Sequence, residues 1–231
     1  MLMSYDEIWD KAMRRHGPVA LEDRLPMVKS KQELAALGDD RYLAAMTKRV
    51  FQSGFVWRVI EAKWPGFEEA FDGFDPVRVA SVGEAGMSRL KQDTRIVRNG
   101  QKIKATLENA AFVLDVAEEY GSFAKFIADW PGDNIVGLWS VLKKRGARLG
   151  GDSGPRFLRG IGKDTFVLSG DVVGHLVELG VVDKKPTSKK ALQTTQEAFN
   201  KWADQSGRPM AEVSVILSCG FGTVHNMEGE F

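Results

Sequence analysis

A glycine-bearing turn is the part of the sequence whose residue types most clearly permit chemistry. Gly150 and Gly151 lie inside LKKRGARLGGDSGPRFLR, residues 142–159. Glycine permits positive φ and a close backbone approach, so the N–H groups of such a turn can bind phosphate oxygens. Asp152 or Ser153 would then cap the next helix, whose N-terminus carries partial positive charge. The alternative is a plain glycine turn between two packed helices.

Basic side chains are concentrated around this turn and in one earlier segment. Residues 143–163 contain seven basic residues and one acidic residue, and residues 89–104 contain six and one. The whole chain has a formal net charge of only +1, so the remaining residues are net negative. A solvated helix face would explain either block alone. Two such blocks at glycine-bearing hairpins favour a phosphate-bearing partner such as nucleic acid.

The elements that must position these residues are predicted to be helices. Apolar residues from Ile103 to Ala117 recur at alternating intervals of four and three, which is typical of the core-facing side of a helix. Gly121 would end this helix. The same spacing predicts three more helices, at residues 40–53 with Gly54 as the stop, around Leu192–Trp202, and after Arg208–Pro209.

Prolines mark two further boundaries. Residues 55–64 form a short aromatic helix that Pro65 is expected to end. Asp75–Pro76 is typical of an N-cap followed by the first helical residue. Strand signals occur only at Phe166–Leu168 and at Val181–Val182. The predicted fold class is therefore all-α.

The length of 231 residues suits one large domain or two small lobes that share a core. We predict a single helical domain over residues 1–231, with the hairpin at about 140–160. The segment 223–231 is predicted to be a frayed C-terminal tail.

Composition excludes several classes of protein. One cysteine, Cys219, rules out an internal disulfide and any multi-thiolate metal site. With only three histidines, we predict no metal and no cofactor. The N-terminal residues are acidic where a signal peptide is basic, and no apolar run approaches the roughly 18 residues of a membrane span. A cytoplasmic monomer without a membrane partner is expected.

Four stretches together resemble one protein family. The segment 142–159 resembles the helix-hairpin-helix of the DNA glycosylase superfamily, and its LKKRG start is similar to the 3-methyladenine DNA glycosylase I group. QSGFVW (52–57) is similar to that family's Q-x-G-x-x-W. FEEAFDGFDPVRVA (67–80) resembles its F-x-x-F-D-P-x-x-V-A element, and RLKQDTRIVRNGQKIKATLENA (89–110) resembles its block ending in N-A. These stretches follow the family's order over about residues 40–170.

The resemblance implies a two-lobed helical glycosylase-like fold and an N-glycosyl hydrolase of base excision repair. The implied substrate is an alkylated purine, similar to 3-methyladenine, in damaged double-stranded DNA. Such an enzyme flips the base out of the stack, and a carboxylate stabilises the positive charge that develops on the deoxyribose. Because alkylated purines already carry positive charge, aromatic stacking can supply much of their recognition.

Asp171 is the candidate catalytic carboxylate that the resemblance implies. In the superfamily a catalytic aspartate follows the last hairpin glycine by a fixed interval, and Asp171 follows Gly151 by 20 residues. The alternative is that Asp171 is only the N-cap of its helix.

Two positions depart from patterns in the superfamily. Bifunctional relatives have a Schiff-base lysine where this chain has Ser153, so the resemblance implies base release without strand cleavage. A glutamate that contacts the lesion in the 3-methyladenine group aligns with Arg49, which reverses the charge.

The resemblance also assigns binding residues. Trp57 would stack on the flipped base and Gln52 would hydrogen-bond its edge, while the alternative for Trp57 is core packing. Arg98 and Lys102 match family positions that could hold phosphates, with solvated surface as the alternative. The full set expected to contact DNA is Arg148, Gly150, Gly151, Ser153, Arg98 and Lys102.

Three functions are compatible with these residues. The first is a monofunctional glycosylase acting on alkylated purines, and the second is a non-catalytic DNA-binding protein that keeps the scaffold, as Arg49 would suggest. A nucleotide-binding enzyme is a weaker third, because LGGDSG lacks the preceding strand and the lysine of phosphate-binding loops.

Overall fold

The computed structural model describes residues 2–221, and this part of the chain contains helices and turns but no β-strand. The all-α prediction is therefore confirmed. The α-helices are α1 (Tyr5–His16), α2 (Pro18–Glu22), α3 (Lys31–Ala35), α4 (Asp39–Gln52), α5 (Trp57–Ala70), α6 (Pro76–Ala80), α7 (Glu84–Gln92), α8 (Gly100–Tyr120), α9 (Phe123–Asp129), α10 (Ile135–Arg145), α11 (Ser153–Gly160), α12 (Gly170–Glu178), α13 (Lys189–Ser206) and α14 (Met210–Cys219).

The chain divides into two compact units. One combines the N-terminal segment through Val28 with Gly132–Val136 and the chain from Asp164 onward, and the other combines Lys29–Pro131 with Gly137–Lys163. We refer to them as the terminal unit and the central unit. The expectation of a single domain stays a prediction, and the predicted frayed tail at 223–231 lies outside the described residues.

The central unit is built on α8, which packs against α4, α6 and α9. Ile103, Ala110 and Val113 on its inner face are completely buried. Gly121 follows the helix in the left-handed conformation, at φ 89°, and its N–H bonds to the carbonyl of Ala117. The predicted helix and its glycine stop are both confirmed.

Pro65 does not end a helix, contrary to the prediction. It lies inside α5, which continues to Ala70. Proline removes one backbone hydrogen bond, but the turn after it is anchored by stacked rings. Trp64 lies 5.4 Å from both Phe67 and Phe74, centroid to centroid, with interplanar angles of 18° and 9°. Burial of these rings therefore outweighs the local cost of the proline.

The terminal unit is centred on α14, which packs against α1, α12 and α13. The predicted helices around Leu192–Trp202 and after Arg208–Pro209 are confirmed as α13 and α14. Phe166 stacks on Phe199 of α13 with centroids 4.2 Å apart, so the apolar run at 166–168 packs in the core without forming a strand. No helix within residues 2–221 has the length and apolar character needed to cross a membrane.

Candidate nucleic-acid interface

The glycine-bearing turn joins α10 to α11 and forms a tight helical hairpin. Gly151 has φ 59°, and Arg148 adopts the same left-handed value although it has a side chain. A Cβ on Gly154 would lie 2.7 Å from the carbonyl oxygen of Leu149, closer than real Cβ contacts come. The left-handed conformation therefore favours glycine at Gly151, and the close approach of the backbone requires it at Gly154.

The cap of α11 differs from the prediction. Asp152 occupies the N-cap position in a helical conformation and makes no capping hydrogen bond through its side chain, while Ser153 is the first residue of the helix. The expected side-chain cap is therefore wrong. The reason is that Asp152 has φ −78° and ψ −14°, whereas a capping side chain requires an extended N-cap backbone.

A buried asparagine fixes the hairpin loop to α8. The Asn109 side chain is fully buried and donates to the carbonyl oxygen of Ala147 at 3.1 Å. Its Oδ1 accepts from the Ala147 N–H at 2.7 Å. Next to this clamp, the Arg148 guanidinium donates to Oε1 of Gln101. Asn109 belongs to the N-A ending of the block at 89–110, so its position within the motif was visible in the sequence but its partner was not.

The two basic blocks therefore meet within the central unit. Arg98, Lys143, Lys144 and Arg148 are exposed, and within residues 2–221 none of them forms an ion pair. Other basic residues of the blocks are neutralised: Arg145 pairs with Glu119 at 2.6 Å. The charge that faces solvent is smaller than the residue count suggests, and it lies on the last turn of α10 as well as on the loops that precede α8 and α11.

Lys102 has a position that does not favour the predicted phosphate contact. Its side chain is buried, and Nζ donates to the carbonyls of Phe51 and Ser53 at 3.0 and 2.7 Å. It thereby satisfies carbonyls at the C-terminal end of α4. Burial, followed by the nearby charge of Arg148, lowers the pKa of the Lys102 ammonium. A contact between Lys102 and DNA stays a prediction, which would require these bonds to break.

Trp57 is the first residue of α5 and is partly exposed. The Arg49 guanidinium carbon lies 4.7 Å from the centroid of its ring, which is a cation–π contact. Burial, followed by the charge of Arg156 on α11, lowers the pKa of Arg49 to about 10. Arg49 therefore remains a cation at neutral pH. Arg49, which aligns with the family's glutamate and reverses its charge, therefore lies beside Trp57, the predicted stacking residue.

Gln52, the last residue of α4, is buried and its side chain is hydrogen-bonded. Its Nε2 donates to Oε1 of Glu61 at 3.0 Å, and Lys48 pairs with the other oxygen of that carboxylate at 2.6 Å. The structure thus brings Gln52, Arg49 and Trp57 together within the central unit. Glu61 was missed in the sequence, where a single glutamate on a helix carries no signal of its own.

Asp171 lies in the terminal unit, in the first turn of α12. Ser169 is the N-cap of that helix and accepts from the N–H of Val172 at 3.3 Å. The alternative that Asp171 is the N-cap is therefore wrong. Asp171 is partly exposed, and among the described residues it has no hydrogen-bond or ion-pair partner.

Comparison with known proteins extends these observations. The sequence profile of the methyladenine glycosylase family matches residues 35–147. The Escherichia coli (strain K12) protein named DNA-3-methyladenine glycosylase 1 is 34% identical over 76 residues, a stretch covering 33% of this chain and 41% of that enzyme. The match thus spans less than half the length of the curated relative.

Two solved structures resemble the fold. The structure of 3-methyladenine DNA glycosylase I from Staphylococcus aureus has a TM-score of 0.47 at 25% identity. The match covers 65% of this chain and 91% of that one. The Methanocaldococcus jannaschii 8-oxoguanine glycosylase/lyase in complex with DNA has a TM-score of 0.50 at 10% identity, over 91% and 93% of the two chains.

The second of these similarities places the chain in the class of helical DNA glycosylase folds. The hairpin between α10 and α11 and the helices that support it are consistent with that class. Within it, the profile match points to one family: residues 35–147 are similar to the methyladenine glycosylase family.

Proposed function

We propose that this protein is a monofunctional DNA glycosylase that releases alkylated purines, similar to 3-methyladenine, from double-stranded DNA. The observation that carries the proposal is the family match over residues 35–147, which includes Trp57 and extends into the hairpin loop at Ala147. As a monomer the protein would act in base excision repair.

The hairpin is proposed to hold the DNA backbone. Exposed Arg148 and the N–H groups around Gly150, Gly151 and Ser153 would contact phosphates, and Arg98 would add a charge from the loop before α8. Such contacts position the duplex without reading its sequence, which suits an enzyme that must examine every base pair. Trp57 would stack on the extruded base, and Gln52 would bond to its edge.

Asp171 is proposed to assist cleavage of the N-glycosidic bond. As the bond to the base breaks, positive charge develops on the sugar, and a fixed carboxylate stabilises that charge or orients the attacking water. Because Ser169 already caps α12, the Asp171 carboxylate is not engaged by the helix end. Ser153 provides no amine at the position of a Schiff-base lysine, so water completes the reaction and the strand stays intact.

The test is mass spectrometry of bases released from methylated duplex DNA by the wild type and by Asp171→Asn. The asparagine keeps the size of the side chain and removes its charge. We expect a loss of about 100-fold or more in the rate of release, and strand breaks should occur only after alkaline treatment. Asp6→Asn is a matched control, because Asp6 is also two residues after a serine N-cap, in α1.

A second candidate is a DNA-binding protein that keeps the scaffold without the chemistry. The cation–π contact of Arg49 with Trp57 favours it, because the family's lesion-contacting position here holds a cation. Both candidates predict salt-dependent DNA binding, so binding alone does not separate them. Release of no base by the wild type, beside a control glycosylase that is active on the same DNA, would establish the second candidate and contradict the first.

A further inference from the structure

The predicted stacking face of Trp57 already has a cation beside it. The Arg49 guanidinium carbon lies 4.7 Å from the ring centroid, within the distance at which an aromatic ring attracts a positive charge. The Trp57 ring would attract a cationic base that stacked on it, as it attracts the guanidinium. The base would also have to approach a fixed charge of its own sign.

The charge of Arg49 is not cancelled by its surroundings. Glu61 is the nearby carboxylate that acts on Arg49, but its two oxygens are held by Lys48 and Gln52, at 2.6 and 3.0 Å. Arg156 lies close enough to lower the pKa of Arg49 by repulsion. The cluster of Arg49, Lys48, Arg156 and Glu61 thus contains three cationic groups and one carboxylate.

An uncharged base would meet a different environment. A guanidinium donates through a planar fork and stacks on neutral rings, so Arg49 can bond to ring nitrogens or carbonyl oxygens on the edge of a purine. The same side chain therefore attracts a neutral base with acceptors on its edge and repels a cationic one.

We propose that Arg49 determines the substrate class of this site, so that it accepts uncharged, acceptor-bearing modified purines in preference to cationic ones. This inference rests on the proposed function, because it takes Trp57 as the surface on which the flipped base stacks. Among the modified purines of the proposed function, it predicts tighter binding of those whose ring carries no charge.

The test compares two methylated adenines that differ in charge. Duplexes carrying a single 1-methyladenine, a cation at neutral pH, or a single N6-methyladenine, its neutral isomer, are titrated with protein and followed by fluorescence anisotropy. The ratio of the two dissociation constants is measured for the wild type and for Arg49→Gln. Because the cost of disrupting each base pair is the same for both proteins, it cancels when the two ratios are compared.

We expect Arg49→Gln to shift the ratio toward the cationic base by about tenfold. Arg49→Met, which keeps the apolar stem and lacks the charge, should do the same if the glutamine variant does not fold. Arg49→Lys should keep the ratio of the wild type. Arg78→Gln is the control for net charge, because Arg78 is exposed on α6 of the same unit and is expected to leave the ratio unchanged.

A ratio for folded neutral variants within about twofold of the wild-type value would overturn the inference, since a fixed charge must act on a charged ligand. Absence of binding to either duplex would overturn it as well. Failure of the proposed function is a separate outcome. A shifted ratio in a protein that releases no base would support the role of Arg49 and contradict the hydrolase activity.

Discussion

A carboxylate in the first turn of a helix can satisfy backbone N–H groups or act on a ligand, and α12 divides these tasks between two residues. Ser169 has an extended backbone and accepts the capping bond, while Asp171 two positions later is partly exposed and bonded to no described residue. Serine and aspartate are both capping types, so the residue type does not identify the cap. The extended backbone at Ser169, with φ −62° and ψ 166°, identifies this residue as the cap.

Other single residues were unpredictable for a related reason. Lys102 was expected to contact phosphate, but its ammonium reaches the carbonyls of Phe51 and Ser53, 51 and 49 positions earlier in the chain. Asn109 binds both backbone groups of Ala147, 38 positions later. Contacts over such distances in sequence leave no local pattern, so the residue type is visible and its partner is not.

A buried histidine makes the first prediction, at the scale of the residue. His175 is completely buried, its Nδ1 bonds to the Leu217 carbonyl at 2.7 Å, and Lys11 Nζ lies 3.4 Å from its Nε2. Burial lowers the pKa of His175, and the positive charge of Lys11 lowers it further. Below about pH 6.5 the unfolded chain therefore binds a proton that the folded protein resists, and the free energy of unfolding falls as the pH decreases.

We expect urea denaturation to show this loss between about pH 7.5 and pH 5.5, and His175→Gln to make it smaller. Burial, and then the charge of Arg24, also lowers the pKa of His16, so His16→Gln should remove a further share. If the pH dependence of the His175 variant equals that of the wild type, the buried imidazole is not its source.

At the scale of the element, the sequence predicted best those helices whose buried face is a regular stripe. α8 and α13 are of this kind, since apolar spacing reports the face that packs. The prediction failed at Pro65, where rings from residues 64 to 74 stack and the helix continues through the proline. A proline signal is local, and the stacking that overrides it is tertiary.

The helical hairpin makes the second prediction. Gly154 is buried in the first turn of α11, and a Cβ there would lie 2.7 Å from the Leu149 carbonyl oxygen. Gly154→Ala must therefore push the turn away from the helix, at a cost of about 1–3 kcal/mol in the free energy of unfolding. Because the turn is the proposed phosphate contact, the affinity for duplex DNA should fall with it.

Gly160→Ala provides the matched control in the same helix. A Cβ at Gly160 would meet no atom within 4 Å, so alanine should leave stability unchanged or raise it by up to about 1 kcal/mol. Denaturation and DNA titration of both variants check the pair. Equal effects of the two alanines would show that the close approach at Gly154 carries no energetic weight.

At the scale of the whole molecule, net charge and local charge give opposite impressions. The formal net charge is +1, yet both basic blocks lie in the central unit. Binding to DNA depends on the cations that displace counterions at the contact, so local charge is the relevant quantity. The family match covers residues 35–147 and does not reach Asp171, which lies in the terminal unit. The proposal for Asp171 therefore rests on its sequence spacing from Gly151.

The last prediction uses this local charge. Arg98 is exposed on the loop before α8 and has no ion-pair partner among residues 2–221. If it binds a phosphate, Arg98→Ala should weaken binding to duplexes of different sequence by a similar factor and should reduce the slope of log K against log salt by about 1. Arg78→Ala removes the same charge from exposed α6, outside both blocks, and should leave the slope unchanged. Anisotropy titrations over a series of salt concentrations measure both slopes. Identical slopes for the wild type and the Arg98 variant would place the phosphate contact elsewhere on the surface.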